Sequence, residues 1–173
     1  PLPAGQYAVI MADPPWDIST SDWDVKWRPE DTIADKYPRM SVEAIKAMAV
    51  EEKAGPECSL FLWTTHTFLP DAIEVMRAWD FKYHGCLTWD KGGGFTHLGL
   101  HRRTEFLLYG YRGGMNLPIK GPAIPTLFAE LKREHSRKPE IAYKYIEDRF
   151  PPDRLELFQR HPRPGWVGWG NEV

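Results

Sequence analysis

The sequence predicts an α/β fold, in which helices cover both faces of a mostly parallel β-sheet. Strand-like runs alternate with helical patterns, and several runs are apolar throughout, which is typical of strands buried on both sides. The 173 residues, 42% of them apolar and 27% charged, fit one soluble domain with a substantial core. We therefore expect a single domain over residues 1–173.

The first part of the chain contains a strand, a long polar stretch and a helix. Tyr7–Ala12 (YAVIMA) is apolar throughout and is predicted to form a buried strand. Residues 17–40 are polar and aperiodic, so we expect a long loop, and loops of this length in compact domains usually carry function. Residues 41–55 have the pattern of a helix that Ser41 caps and Gly55 ends.

The middle of the chain alternates between strands and a helix. Ser59–Thr64 (SLFLWT) is a second predicted buried strand, and residues 69–80 have the spacing of a helix with an apolar stripe. Residues 83–91 form a third predicted strand, which Gly92–Gly94 end in a flexible turn. The apolar run 104–113 can pair back on that strand as a β-hairpin.

The last part of the chain combines an irregular stretch with one helix and two short strands. Residues 112–135 are rich in Pro and Gly and are predicted to be irregular. Pro139 favours a helix start, and residues 136–150 carry apolar side chains at helical spacing. Residues 154–158 (RLELF) and 165–170 (GWVGWG) are predicted to be short strands. Sheets of this kind bind ligands at the carboxyl ends of their strands, near the point where strand order reverses.

Charge is distributed unevenly along the chain. The overall net charge of −2 does not indicate a nucleic-acid-binding protein. Residues 101–173, however, contain 13 Lys and Arg against 9 Asp and Glu, whereas residues 1–100 contain 9 against 15. A basic half can face phosphate groups, and chance segregation of solvated charge is the alternative.

Cysteine usage and hydropathy exclude several other classes. Cys58 and Cys86 lie in strand-like settings, which predicts reduced thiols in a cytoplasmic protein rather than a disulfide framework. No apolar run approaches the roughly 20 residues that span a bilayer, so no membrane partner is expected. Together with His66 and His84, the cysteines fit no compact zinc spacing, so no metal site is predicted.

The most informative segment is Asp13-Pro14-Pro15-Trp16, directly after the first predicted strand. An ionised Asp13 only accepts hydrogen bonds. Pro14 and Pro15 have a fixed φ and no N–H, so the segment is stiff and its carbonyl groups can point into a cleft. Trp16 offers a flat face for stacking. Two acceptors beside an aromatic wall suit a planar base that carries an amino group.

The amine of adenine is a weak nucleophile because its lone pair is delocalised into the ring. Two acceptors can hold that amine so that the lone pair points out of the ring plane, toward an electrophile. Positioning and electrostatics then lower the barrier without a strong base. The alternative is a proline-rich turn that ends a strand, with Asp13 as a cap, and the position of the segment in an α/β domain favours the functional interpretation.

With this segment included, the sequence resembles the adenine-N6 methyltransferases related to the seventy-kilodalton subunit of eukaryotic mRNA adenosine methyltransferase. That family has many bacterial and phage DNA-modifying members, and the likeness extends from Tyr7 to Glu172. Each motif alone is weak, but in this order over this length they are specific. After Asp13–Trp16 they are Tyr37–Met40, Leu60–Thr65 (LFLWTT), Thr88–Lys91 (TWDK), His101–Gly113, Ser136–Pro139 (SRKP), Leu155–Arg160 (LELFQR) and Pro164–Glu172.

The resemblance implies a Rossmann-like class I S-adenosylmethionine-dependent methyltransferase domain that is circularly permuted. In such a domain the catalytic motif comes first, and the strand that binds the cofactor comes near the end. The residues that it implies for the target adenine are Asp13, Pro14, Pro15 and Trp16. The residues that it implies for the cofactor are Ala12, Asp13, Lys138, Phe158, Arg160, Arg163, Asn171 and Glu172.

Some of these positions also have a chemical basis in the sequence itself. Lys138 lies just before a predicted helix, where an anionic group such as a carboxylate is favoured. Asn171 and Glu172 follow a predicted strand and could bind two hydroxyl groups. The alternatives are a solvated lysine and a frayed terminus. Glu105, inside an apolar strand, is expected to be a paired buried carboxylate, and the orientation of a site arginine is its alternative role.

The segment after Leu155 departs from the family pattern. It has His161-Pro162-Arg163 where the mRNA-modifying members have Pro-His-Asn. It also lacks a compact G-x-G loop, so cofactor recognition should depend on side chains more than on a glycine cradle.

Basic and aromatic residues alternate in the long loop after the motif. Such a mixture can stack on bases and bind the backbone of a nucleic acid, and a lid with buried anchors is the alternative. Arginines of the C-terminal half are expected to help. The candidate nucleic-acid-binding residues are Trp23, Lys26, Trp27, Arg28, Tyr37, Arg39, Arg102 and Arg103.

The function predicted from the sequence is methylation of the N6 amine of adenine in a nucleic acid, with S-adenosylmethionine as cofactor. DNA is favoured over RNA because the chain resembles the short phage and prophage members and has no additional RNA-binding module. The alternatives are an RNA adenosine methyltransferase, a non-catalytic binding subunit, and methylation of a small molecule or a protein amide. A homodimer or a related partner subunit and a cytoplasmic location are further expectations.

Overall fold

The computed structural model describes residues 1–17, 39–114, 119–131 and 137–170. It confirms the predicted α/β class, and none of its described helices is long and apolar enough to cross a membrane. The strands are β1 (Tyr7–Ala12), β2 (Ala54–Thr64), β3 (Lys82–His97), β4 (Leu100–Arg112), β5 (Leu127–Ala129), β6 (Arg154–Leu157) and β7 (Val167–Trp169). The helices are α1 (Val42–Lys46), α2 (Leu69–Ala78) and α3 (Glu140–Arg149).

The strands form one seven-stranded sheet in the order β5-β3-β4-β2-β1-β6-β7. All neighbouring pairs are parallel except the two that involve β4, which is antiparallel to β2 and β3. The first strand in sequence is thus an interior strand, and one of its partners, β6, comes late in the chain. This arrangement confirms the mostly parallel, permuted Rossmann-like sheet.

Two apolar layers cover the sheet, one on each face. Along β1 the side chains alternate, so Ile10 and Ala12 join the layer with α1 and α2, whereas Val9 and Met11 join the layer with α3. The helices therefore lie on both faces, as predicted. Trp79 is fully buried, and its Nε1 donates to the Ile45 carbonyl at 3.0 Å, which joins α1 to the end of α2.

The helix predicted over residues 41–55 is shorter than expected. Ser41 does cap it, since its Oγ accepts from the Ala44 N–H at 3.2 Å. The helix ends at Lys46, however, and a short 3₁₀ turn precedes β2, which contains Gly55. A Cβ at Gly55 would lie 3.3 Å from the Tyr7 carbonyl oxygen, so this glycine permits a close approach between β1 and β2 instead of ending a helix.

The three glycines Gly92–Gly94 were expected to form a turn, but they lie inside β3. The register between β3 and β4 shifts across them, and a Cβ at Gly94 would lie 2.1 Å from the Arg102 carbonyl oxygen. The glycines therefore mark a close backbone contact within the hairpin. The turn itself lies at Leu98 and Gly99, which both have positive φ.

One strand was missed in the stretch that was predicted to be irregular. β5 pairs in parallel with β3 at the edge of the sheet. It has three residues, of which Phe128 is buried, so its sequence is too short to show a strand period. Trp89 Nε1 donates to the Glu130 carbonyl at 2.8 Å and fixes the end of this strand.

Candidate active site

The carboxyl ends of β1 and β6 lie at the point where the strand order of the sheet reverses. From β1 the chain continues to β2 on one side, whereas from β6 it continues to β7 on the other. Asp13 follows β1 directly, and its N–H donates to the Leu157 carbonyl at the end of β6 at 3.4 Å. Open α/β sheets bind ligands at such a point, and the Asp13–Trp16 motif lies there.

The backbone of this motif is fixed through its carbonyl groups. The Pro14 carbonyl accepts from the Trp16 N–H at 2.9 Å, which closes a three-residue turn. The Pro15 carbonyl accepts from the Met40 N–H at 2.9 Å. Because a carbonyl oxygen has two lone pairs, Pro14 keeps an acceptor site beside the carboxylate of Asp13.

Trp16 lies in the core, which corrects the expectation of an open face for stacking on a base. The residue is 9% exposed, and its ring stacks on Phe68 with the centroids 5.4 Å apart. Its Nε1 donates to the Trp63 carbonyl at 3.2 Å. An indole buries a large apolar area but needs a partner for its N–H, and both conditions are met here. Trp16 therefore anchors the turn to β2.

Lys138 lies between two carboxylates of the site. Its Nζ is 3.1 Å from Asp13 Oδ1 and 2.9 Å from Glu105 Oε2, and it lies 5.1 Å from the ring centroid of Trp63. Burial disfavours the ammonium form, but the charges of Asp13 and Glu105 outweigh burial and raise the pKa of Lys138. The side chain is therefore a cation at neutral pH, held directly beside the motif.

Glu105 connects this lysine to a second one. It lies in the first half of β4, and because β4 is antiparallel, that half reaches the carboxyl edge of the sheet. Oε1 accepts from Lys91 Nζ at 3.0 Å while Oε2 accepts from Lys138. Burial favours the protonated form, but the two ammonium groups prevail and lower the pKa of Glu105 to about 2. Glu105 is thus paired, as expected, although it is partly rather than fully buried, and it also positions the site lysine.

The N-terminus of α3 already holds an anion, although not the one that the sequence suggested. The Glu140 and Ile141 N–H groups both donate at 3.0 Å to the two carboxylate oxygens of Glu130. This carboxylate satisfies the first free donors of the helix and interacts favourably with its dipole. Lys138 therefore acts at the site through its ammonium group, and Glu130 takes the helix terminus.

Glu156 is a polar residue of this site that sequence reasoning missed. It lies in β6 and is 7% exposed. Its Oε1 accepts from the Tyr143 hydroxyl at 2.5 Å and its Oε2 from Gln159 Nε2 at 2.7 Å. Burial raises the pKa of Glu156 against the effect of these two donors. The available signal was an acidic residue inside an apolar strand, at the position before the strand ends.

Three of the other cofactor candidates lie at the ends of the same two strands. Ala12 is fully buried at the end of β1. Phe158 follows β6 with a φ of 63°, a left-handed conformation that non-glycine residues rarely adopt, and packs on Trp169 with the ring centroids 5.5 Å apart. Arg160 is half-buried two residues later. Two further candidates, Asn171 and Glu172, lie outside the described residues.

Arg163 is bound to α3. Its Nε and Nη2 donate to Glu147 at 2.5 and 2.9 Å, and Nη2 also donates to Glu140 at 2.6 Å. The guanidinium lies 4.3 Å from the ring centroid of Tyr143, and the hydrogen bonds to Glu147 raise the pKa of Arg163. The side chain fastens the segment after β6 to the helix, a role that differs from the cofactor contact implied by the resemblance.

The two arginines at the start of β4 have different hydrogen-bond partners. Arg102 donates to Thr67 Oγ1 at 2.8 Å and lies at the carboxyl edge of the sheet. Arg103 forms a two-pronged hydrogen bond with Asp90, at 2.5 and 2.6 Å, and its side chain is half exposed. Both residues belong to the half of β4 that reaches the carboxyl edge of the sheet.

The structure describes one candidate of the long loop after the motif. Arg39 lies 3.8 Å from Asp17, directly beside the motif. The remaining loop candidates lie outside the described residues, and their role stays a prediction: Trp23, Lys26, Trp27, Arg28 and Tyr37.

A cavity of about 240 Å³ opens beside Glu105, at the same edge of the sheet. His66 Nε2 lies 2.9 Å from Thr104 Oγ1 at its wall. Burial, followed by the charges of Arg102 and Lys91, lowers the pKa of His66, so its ring is neutral at pH 7. A wall of aromatic, hydroxyl and cationic groups suits a flat polar ligand. The other lining residues are Thr65, Thr67, Phe68 and Phe95.

Comparison with known proteins gives a consistent result. The sequence profile of the MT-A70 family matches residues 7–172. The type II methyltransferase M.MunI of Mycoplasma sp is 30% identical over 190 residues, which cover 99% of this chain and 80% of that protein. A probable N(6)-adenosine-methyltransferase of Oryza sativa subsp. japonica is 32% identical over 183 residues, covering 98% and 23%. The human N(6)-adenosine-methyltransferase catalytic subunit METTL3 is 28% identical over 181 residues, covering 98% and 28%. The chain thus spans most of the first relative and about a quarter of the other two.

Proposed function

This chain belongs to the MT-A70 family of methyltransferases, and from that premise we propose that it methylates the N6 amine of adenine in DNA, with S-adenosylmethionine as cofactor. The observation that carries the proposal is the fixed pair of acceptors at the end of β1, the Asp13 carboxylate and the Pro14 carbonyl. They lie at the reversal point of the sheet, beside a partly buried lysine.

The charged groups of the site fit this cofactor. S-adenosylmethionine has a sulfonium group, whose methyl is electrophilic, and an amino acid end with an ammonium and a carboxylate. Lys138 is a partly buried cation that can receive the carboxylate. Glu156 is a buried carboxylate with two neutral donors, and no described Lys or Arg forms an ion pair with it, so it can receive the ammonium.

The chain's own residues position the amine and do not need to deprotonate it first. Asp13 and the Pro14 carbonyl accept its two hydrogens, and the turn closed by the Trp16 N–H keeps both acceptors in place. The stiffness of the two prolines makes this arrangement pre-organised, which is the largest contribution that an enzyme makes to such a transfer. The proton can leave after the transfer.

The preference for DNA depends on the relatives and on the surface around the motif. Of the two kinds of relative, the type II methyltransferase is matched over 80% of its length and the plant and human adenosine-methyltransferases over about a quarter. Arg39, Arg102 and Arg103 supply positive charge around the motif. In a duplex, the target base must leave the stack to reach the carboxyl edge of the sheet. Methylation of RNA is the second candidate, because 28–32% identity also connects the chain to adenosine-methyltransferases.

Nucleoside mass spectrometry tests the proposal. We expect N6-methyladenine in DNA from cells that express the chain, and a loss of at least about a hundredfold with Asp13→Ala, because the acceptor is removed. Asp148→Asn, at an exposed site on α3, is the matched control. If methylated adenine appears in RNA alone, the proposed substrate is RNA and not DNA. Normal methylation by Asp13→Ala would refute the role of the motif.

A binding measurement separates an enzyme from a non-catalytic subunit. Asp13→Ala should retain most of the thermal stabilisation that S-adenosylmethionine gives to the wild type, since Lys138 and Glu156 remain. Absence of any stabilisation in the wild type would contradict cofactor binding itself.

A further inference from the structure

Gln159 lies in the turn after β6, and its side chain fills space that would be empty if the residue were a glycine. The residue is 3% exposed, and its N–H donates to the Trp169 carbonyl at 3.0 Å. A Cβ on Gly168 would lie 1.7 Å from Gln159 Oε1, and a Cβ on Gly170 would lie 2.2 Å from the Gln159 carbonyl oxygen. Gly168 of β7 thus makes room for the Gln159 side chain, and Gly170 makes room for the Gln159 backbone.

The amide of Gln159 is directed at Glu156. Its Nε2 donates to Glu156 Oε2 at 2.7 Å, and Tyr143 donates from α3 to the other oxygen. Both donors are neutral. A buried carboxylate without a cation costs free energy, which hydrogen bonds to the charged form partly offset.

The groups around Glu156 act on its ionisation in opposite directions. Burial has the largest effect and raises its pKa, and the negative charge of Asp13 beyond β1 raises it further. The hydrogen bonds from Tyr143 and Gln159 lower it, as does the positive charge of Arg163 in the segment after β6. Loss of the Gln159 amide would therefore leave the ionised form with fewer favourable partners.

We propose that Gln159 is a positioning residue, whose side-chain amide fixes the Glu156 carboxylate and favours its charged form, in a turn that lacks a glycine cradle. Gln159 itself touches neither Asp13 nor Lys138 and acts through Glu156. The consequence for cofactor binding rests on the proposed function, whereas the effect on Glu156 does not.

The first experiment measures Glu156 directly. Protein labelled with ¹³C at the glutamate side-chain carboxyl is titrated by NMR, and Glu156→Gln identifies the resonance. We expect the Glu156 midpoint to move to higher pH in Gln159→Met, because the methionine has no donor. Gln6→Met, a change of the other glutamine of the chain at an exposed position, should leave it unchanged. An equal midpoint in the wild type and Gln159→Met would overturn the proposal.

The second experiment measures cofactor affinity as a function of pH by calorimetry. In Gln159→Met, binding of S-adenosylmethionine should weaken about tenfold at pH 6, the loss of a hydrogen bond to a charged group, and recover as the pH rises. A residue that only supports the fold would weaken binding equally at every pH. If the wild type binds no cofactor at any pH, the proposed function fails, while the NMR result still decides the role of Gln159.

Two further variants address folding. Gln159→Gly removes the donor and cannot clash with β7, so the same titration is decisive if Gln159→Met does not fold. Gly168→Ala should destabilise the wild type strongly and the Gln159→Gly background far less, because the added methyl group meets the Gln159 side chain. Equal destabilisation in both backgrounds would contradict the packing on which the proposal depends.

Discussion

Glu105, which is partly buried, and Glu156, which is buried, are two glutamates at the same edge of the sheet, and their pKa values move in opposite directions. Glu105 has an ammonium group on each oxygen, and its pKa falls to about 2. Glu156 has a hydroxyl and an amide on its oxygens, and its pKa rises. Burial has the same direction at both sites, so the charge of the hydrogen-bond donors decides the outcome.

The different donors suggest different roles for the two glutamates. The four charges Asp13, Lys138, Glu105 and Lys91 alternate in sign, so each is satisfied within the protein and the chain of ion pairs holds the motif rigidly. The two oxygens of Glu156 accept from neutral groups, and no Lys or Arg of the described residues forms an ion pair with them. A carboxylate in this setting can receive an external cation, whereas the carboxylates of the first site hold Lys138 and Lys91 in place.

Glu105→Gln should give the largest loss of stability, about 3 kcal/mol at pH 7, because Lys91 and Lys138 lose the charged partner that they share. The native-state pKa is depressed, so the contribution of Glu105 is complete above pH 4.5 and is lost as the pH falls through about 2. The difference from the wild type in urea unfolding should therefore shrink over this range. Glu52→Gln, at an exposed position, should change little. A difference independent of pH would contradict the ion-pair account.

Tyr143→Phe should cost about 2 kcal/mol at pH 7, because one oxygen of Glu156 loses its donor. The pKa of Glu156 is already raised, so folding is favoured at low pH and weakens as the pH rises through the native value. The cost of the variant should consequently grow with pH. Urea unfolding of Tyr145→Phe, a change on the same helix, provides the reference. A cost that falls with rising pH would mean that the hydroxyl does not serve the carboxylate.

Glu156→Gln should have the smallest effect, a change of less than about 1 kcal/mol at pH 7, since loss of a poorly solvated charge offsets the altered hydrogen bonds. Relative to the wild type, its free energy of unfolding should increase with pH above 4.5, the reverse of the trend for Glu105→Gln. Parallel trends in the two variants would remove the distinction between the two glutamates.

The sequence was sufficient for features that depend on local patterns. The apolar run of β1, the motif after it and the helix start at Pro139 were predicted, because strand burial and helix entry leave a signal within a few residues. Lys138 was identified through the resemblance and lies beside Asp13 in the structure.

Features that depend on distant neighbours were not predictable. Trp16 was assigned an open face because its sequence position does not show that Phe68 and Trp63 surround it. Gly92–Gly94 resembled a turn because close approach of Arg102 is invisible in the sequence. Glu156 was missed because its donors, Tyr143 and Gln159, come from a helix and a turn whose packing fixes them.

The interior position of β1 also determines when during synthesis this protein acquires its chemistry. β1 leaves the ribosome before β6, so one of its edges stays without this partner until residues 154–157 have followed. Such distant pairings fold slowly, and an apolar strand with a free edge is prone to aggregate in the meantime. Glu156, which lies in β6, therefore reaches its place beside β1 only after this late pairing.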